Sequence, residues 1–315
     1  MATIDAAKAA PRIAPRGVGG ASAPAALRPR DRVLPVLAVL AGVLVVWYLG
    51  AIGLNAPGAI ERVLAPKGAY TWTDLVATTW SMERPVLPAP HQVAIDLWHS
   101  IADWPVDSPR SLLLHTYVTA QSTLVGFVLG TLLGIVLAGA IVHSLTLDRA
   151  LLPWIVASQT VPVLAIAPIV LVILGSLGFS GLAPKAAIAM YLCFFPVTVA
   201  MVQGLRSPQR IETELMHTYA ATRMQAFWML RLPAALPFLF PSLRVAIAAG
   251  LVGAMVAELP TGAQAGLGAR LLTGSYYGNT VGIWSALVMS ALLGLALTGA
   301  VGLVERVVLG SRRRA

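Results

Sequence analysis

The sequence predicts an all-α fold, a polytopic transmembrane helical bundle of about six spans. Three observations lead there. Apolar residues make up 57% of the 315 and charged residues only 11%, less than half of the roughly 25% charge that a soluble domain carries. The mean hydropathy is +0.79. The charges also fall between uncharged runs, several of them as long as the ~20 residues that a bilayer crossing needs. Lipid must cover much of such a surface. An ordinary cytosolic enzyme is excluded, and so is a disordered chain, which needs low hydrophobicity and high charge.

Taken in order, residues 1–32 read as a disordered basic tail rich in Ala, Pro and Arg, and 33–54 as the first span. Residues 55–116 read as an external loop with amphipathic segments. The core of the bundle runs over 117–308, with spans near 117–142, 151–174, 185–204, 238–258 and 281–304. The loop 205–237 interrupts it, and 309–315 form a second basic tail. Arginine and lysine set the orientation. Fifteen of the 22 basic residues belong to the two tails, the 205–237 loop, Arg149 and Arg306. These form the cytoplasmic side, so both termini are expected there. The net charge of +9 does not point to nucleic acid, because the arginines sit between apolar runs. Cys193 is the single cysteine, which leaves no intrachain disulfide and no cysteine metal cluster. No Walker A sequence is present, so any ATP hydrolysis must take place on another chain.

Within the second span, Gly126, Gly130 and Gly134 recur every fourth residue. Gly250 and Gly253 place small residues on the fifth span. Such faces let helix backbones approach closely in lipid. They serve either generic packing or a moving interface around a pathway. The third span carries Pro153, Pro162 and Pro168, and is expected to be a helix broken twice. In a bilayer such breaks persist where protein or a water-filled cavity satisfies the freed backbone. Passive kinking stands beside a translocation route as the reading. Polar candidates for a pathway are Gln159, Thr160, Thr198, Gln203 and Glu258, with Pro162 at the break. Acidic residues inside the spans are nearly absent, which disfavours an ion-coupled carrier. No catalytic or metal-ligating set is found, so no enzyme is expected. The segment 67–86 places its aromatics either at the outer membrane interface or against a partner.

Residues 205–244 are too polar to span and too apolar for a loose linker. Ser207-Pro208 starts a turn, and Glu212 and Glu214 load the first helical turn with negative charge. Pro233 and Pro237 are expected to end the helix and aim the chain into the fifth span. This describes a short helical hairpin at the cytoplasmic face. A helix lying on the lipid surface is the other reading.

These residues resemble the EAA loop of bacterial ABC-importer permeases. Glu214 stands at the motif glutamate, Arg223 and Gln225 in the segment after the motif glycine, and Pro233-Ala234-Ala235-Leu236-Pro237 at the exit. Leu215 and Met216 replace two alanines, and Ala220 stands where glycine is usual. Alanine does not readily take positive φ, so the turn is expected to differ in shape. The resemblance extends over about 85–308. LPAPHQVAIDLW (87–98), QTVPVLAIAPIVLVILG (159–175) and Glu258 followed by Gly266-Leu267-Gly268 are similar to the nitrate/sulfonate/taurine-type branch. Ser122 departs from it, standing where an arginine is usual.

The resemblance implies a permease subunit that moves a small solute by alternating access. The solute would be a nitrate-, sulfonate- or taurine-like anion, or a small heterocycle such as a pyrimidine or vitamin precursor. It implies a coupling loop docked on cytoplasmic ABC ATPase subunits, with Glu214, Tyr219, Ala220, Arg223, Phe227, Pro233 and Pro237 in or near the dock. The chain would bind no cofactor, ATP and Mg residing on the ATPase. A second permease subunit, the same chain or a sister, and a periplasmic or lipid-anchored solute-binding protein would complete the assembly in a bacterial inner membrane. The alternative is an energy-independent or ion-coupled transporter without an ATPase.

Overall fold

The computed structural model describes residues 29–260 and 265–312, and these form helices, turns and short connections with no strand. The chain falls into two units, Met1–Val46 and Trp47–Ala315. Helix α1 (Pro29–Ala59) begins in the first and ends in the second. From Leu34 to Val46 every side chain is exposed, Leu34, Leu37 and Leu40 among them. An apolar helix bare on all sides fits a lipid-facing span. Residues 1–28 of the expected basic tail lie outside the described residues, and 29–32 are helical.

The second unit continues α1 through a π turn (Ile60–Leu64) and a 3-10 turn (Ala65–Lys67). Helices α2 (Trp72–Trp80) and α3 (Pro90–Ala102) follow, so the expected external loop is largely helical. Thr71 caps α2, and its hydroxyl and amide both donate to Asp74. Those two bonds, the hydroxyl's first, hold the Asp74 carboxyl below the usual carboxylate range. Asn55 of α1 clamps the α2–α3 linker. Its amide donates to the Thr79 and Leu87 carbonyls, and its oxygen accepts from the Val86 and Leu87 amides. All of its hydrogen-bonding capacity is used, as burial demands.

The core is built from α4 (Leu112–His143), α7 (Leu182–Leu205) and α10 (Leu232–Glu258). A Cβ added at Gly130 would stand 2.5 Å from the Cys193 Cβ, and one at Gly134 2.9 Å from the Phe194 carbonyl. Gly250 and Gly253 meet the same helix from the other side, at Cys193 and at Ala189. Both small-residue faces therefore close on α7. Gly126, Gly130 and Gly134 meet α7 at successively later positions, from Ala186 to Val197, so α4 and α7 run parallel. Helix α10 runs against them, Ala235 clustering with Leu205 and Glu258 lying beside Lys185.

Parallel neighbours force the intervening chain to cross back. It does so in two pieces, α5 (Leu145–Ser158) and α6 (Val163–Ser176), bent by 103°. Each piece has 14 residues, about 21 Å of helix and too short to cross alone. Ile155 joins the core cluster that includes Ile141, Cys193 and Val197, and Ala167 joins a separate one with Ile188 and Ala257. The pair is thus one bent crossing, which brings the number of spans to six. The expected single helix broken twice is corrected to one break at 159–162. Pro162 lacks an amide donor and biases Val161 away from helix, whereas Pro153 and Pro168 lie inside their helices.

The expected stop at Pro233 and Pro237 is also corrected. Helical structure continues from Arg223 to Glu258. A π turn (Phe227–Arg231) comes directly before α10, the Leu232 amide bonding the Phe227 carbonyl. Its extra residue makes room for the Pro233 ring, which an α-helical turn would crowd. Helix α11 (Leu267–Tyr277) caps the Glu258 end, and α12 (Thr280–Arg312) returns beside α10, Arg244 pairing with Glu305. The expected tail at 309–315 is helical to Arg312, and 313–315 lie outside the described residues.

Replacing Gly130 by alanine is expected to destabilise the bundle by about 1–3 kcal/mol through overpacking. Gly299→Ala, where the added carbon meets nothing within 4 Å, serves as the neutral control. The thermal midpoints of the two purified variants in one detergent check this.

Candidate functional site

The hairpin is assembled by local capping. Ser207 donates to the Gly204 carbonyl at the end of α7. The Gln209 amide donates to the Glu212 carboxylate at the start of α8 (Arg210–Thr218). At the other end of α8 the Ala220 amide bonds the His217 carbonyl and the Ala221 amide bonds Met216. This is a Schellman turn, which needs a left-handed residue at Ala220. Ala220 supplies it, with φ of 52°. The expectation of a differently shaped turn is therefore corrected: alanine takes the conformation that glycine would take, at a cost of roughly 1–2 kcal/mol. Thr222 and Gln225 then cap α9 (Arg223–Ala226) reciprocally.

Glu214 accepts a hydrogen bond from Arg210 one turn earlier, at 2.8 Å, with both side chains exposed. Such a pair contributes little stability, so the carboxylate is accessible. Ile211, Leu215 and Tyr219 line one face of α8 and are 70%, 55% and 78% exposed. Met224, Trp228 and Met229 extend the apolar surface past the turn. Phe227 points inward instead, its ring 4.8 Å from that of His143 at the end of α4. Arg206, the C-cap of α7, holds Asp148 of α5 in an ion contact of 2.9 Å. Arg223 is exposed, Pro233 half-buried and Pro237 exposed.

The pathway candidates divide into two groups. Gln159, Thr160 and Pro162 lie together and exposed at the α5–α6 break. The Ser158 carbonyl beside them accepts from the Tyr191 hydroxyl. Tyr191 is nine residues into α7, about 14 Å along it, so the break lies near mid-depth. A cavity of about 330 Å³ adjoins it, lined by Ile166, Val170, Ile188, Met190 and Tyr191 among others. The remaining candidates lie apart from this group. Thr198 is buried and bonds the Phe194 carbonyl, and Gln203 is exposed near the end of α7.

Glu258 is fully enclosed. Its carboxylate accepts from the Thr119 hydroxyl at 3.0 Å and from the Gly268 amide at 2.8 Å, with the Lys185 ammonium 3.6 Å away. Lys185 also donates to the Ala265 carbonyl. His115 accepts from the Gly266 amide and meets the Pro109 carbonyl with its other nitrogen. Four segments thus meet on one buried charge. Thr119 and His115 escaped the sequence reading, since a lone threonine or histidine in an apolar run gives no signal of its partner.

Comparison with known proteins comes down on one group. The profile described as "binding-protein-dependent transport system inner membrane component" matches residues 130–309. The formylaminopyrimidine transport permease of Halalkalibacterium halodurans is 33% identical over 232 residues, 73% of this chain and 87% of that one. The riboflavin transport system permease of Chloroflexus aurantiacus is 33% identical over 221 residues, 70% and 78% of the two chains. The nitrate import permease of Leptolyngbya laminosa is 26% identical over 220 residues, 68% and 76%.

Two outcomes are expected. Lys185→Met strands the enclosed carboxylate and is expected to lower stability by about 3–5 kcal/mol, read as a fall in the unfolding midpoint. Ala220→Gly relieves the left-handed strain and is expected to stabilise the turn by about 1 kcal/mol, less the entropy that glycine adds to the unfolded chain. Slower hydrogen exchange at the Ala221 amide reports it.

Proposed function

The chain belongs to the family of binding-protein-dependent transport system inner membrane components, and on that footing we propose that it passes a small heterocyclic solute through the α5–α6 break, driven by ATPase subunits docked on the α8–α9 hairpin. It is a multi-pass membrane protein and a permease subunit of an ABC importer. Chemistry on ATP and its magnesium belongs to the partner ATPase in this reading. A second permease subunit and a solute-binding protein complete the assembly, and the hairpin end faces the cytoplasm together with both termini.

The observation that carries the reading is the exposed break at Gln159–Pro162. Irregular backbone at mid-depth cannot face lipid, because each unsatisfied group costs several kcal/mol there. It must line water or protein, and Gln159 and Thr160 offer polar groups beside an apolar cavity. That combination suits a flat, polar-edged molecule. The relatives named for pyrimidine and riboflavin transport are 33% identical and the one named for nitrate 26%, which favours the heterocycle over the anion. Two cations near the bundle are also engaged, Lys185 with Glu258 and Arg244 with Glu305.

On the hairpin, Ile211, Leu215 and Tyr219 form the face that an ATPase groove covers, and Glu214 anchors it. Gly126, Gly130, Gly134, Gly250 and Gly253 hold α4, α7 and α10 as one body, against which α5 and α6 move.

The test is uptake by the complex co-purified with its ATPase and reconstituted in liposomes with the cognate binding protein. ATP-dependent uptake of a labelled aminopyrimidine or of riboflavin, with none of nitrate, is the expected result. Uptake driven by a proton or sodium gradient without ATP would sink the reading, and nitrate uptake would overturn the substrate class.

A further inference from the structure

Both feet of the hairpin stand on the same corner of the bundle. The entering foot is Arg206, whose guanidinium lies 2.9 Å from the Asp148 carboxylate. The leaving foot is Phe227, whose ring lies 4.8 Å from that of His143. His143 ends α4, and Asp148 lies in the first turn of α5. Four residues separate them. Each charge also suits its helix end, the carboxylate at the start of α5 and the guanidinium at the end of α7.

Helix α5 is held at its two ends. Asp148 ties its first turn to Arg206, and the Ser158 carbonyl ties its last residue to Tyr191. Beyond Ser158 the chain bends by 103° into α6. Helices α4, α7 and α10 are in backbone contact through glycine and form one body. Helices α5 and α6 make no such glycine contact among the described residues, and α5 is attached through side chains instead, Ile155 in the core cluster among them.

We propose that the Asp148–Arg206 ion pair and the His143–Phe227 ring contact form the linkage through which the hairpin drives α5 about the Gln159–Pro162 break. This rests on the reading of the hairpin as the ATPase dock. Asp148 and Arg206 are positioning residues, remote from the solute. Their side chains are 21% and 45% exposed, so the pair contributes little to stability. Its loss leaves the fold intact and removes the transmitted motion.

The experiment uses the permease–ATPase complex in lipid nanodiscs with Gln159→Cys as a reporter. The native Cys193 is buried and stays silent to a membrane-impermeant maleimide. Labelling rates are measured without nucleotide and with ATP plus vanadate. In the parent the two rates are expected to differ by about tenfold, and in Asp148→Asn and Arg206→Gln by less than about twofold. ATP hydrolysis and ATPase retention stay at the parent level in both. Asp148→Glu, which keeps the charge, restores most of the difference. The linkage is overturned if Asp148→Asn keeps the full nucleotide response. It is equally overturned if Asp148→Glu fails as badly as Asp148→Asn, or if Asp148→Asn sheds the ATPase. A parent complex that carries no ATPase at all is a different failure, and removes the docking reading beneath it.

Discussion

Close backbone contact along α7 is the constraint on which the rest of the unit depends, because lipid offers no hydrophobic force to drive helices together. Attraction between them must come from packing, and packing needs the side chains out of the way. Gly126, Gly130 and Gly134 do this for α4, and Gly250 and Gly253 for α10. Ala186, Ala189 and Cys193 receive them on α7, all fully or nearly fully buried. With both faces of α7 occupied so closely, α4 and α10 have little room to shift along it. Elements attached less tightly must then supply any motion.

That division places the polar chemistry at two levels. At the Glu258 end, buried charge and threonine, histidine and glycine contacts fix the turn at 265–268 against α4 and α7. Such a network tolerates no missing partner. At mid-depth the α5–α6 break leaves Gln159 and Thr160 open.

Much of this was legible in the sequence. Six apolar runs and the glycine spacing pointed to the spans and their close packing, and Ser207-Pro208 with Glu212 marked the hairpin's start. What failed was proline. The third span, with Pro153, Pro162 and Pro168, read as broken twice, and Pro233 with Pro237 as a helix end, yet only Pro162 coincides with a break. At Pro233 a π turn at 227–231 comes before the ring, and a residue list does not record that turn's hydrogen bonds. Pro153, Pro168 and Pro237 simply lie inside their helices. Ala220 misled in the same way. Its preference against positive φ was read correctly, but the two carbonyls of the closing turn outweighed it. The long-range partners of Glu258 lie 10 to 139 residues away in sequence, and no local pattern announces them.

The bent crossing also bears on how the chain is made. Neither α5 nor α6 reaches across a bilayer, and the backbone between them has nothing in lipid to bond with. The Ser158 carbonyl finds its donor on Tyr191, a residue synthesised 33 positions later. Released into lipid as it emerges, the pair would expose that carbonyl and the uncapped start of α6 to hydrocarbon. The bent crossing therefore completes its hydrogen bonding only once α7 has been made, so α5 and α6 depend on α7 for their final arrangement.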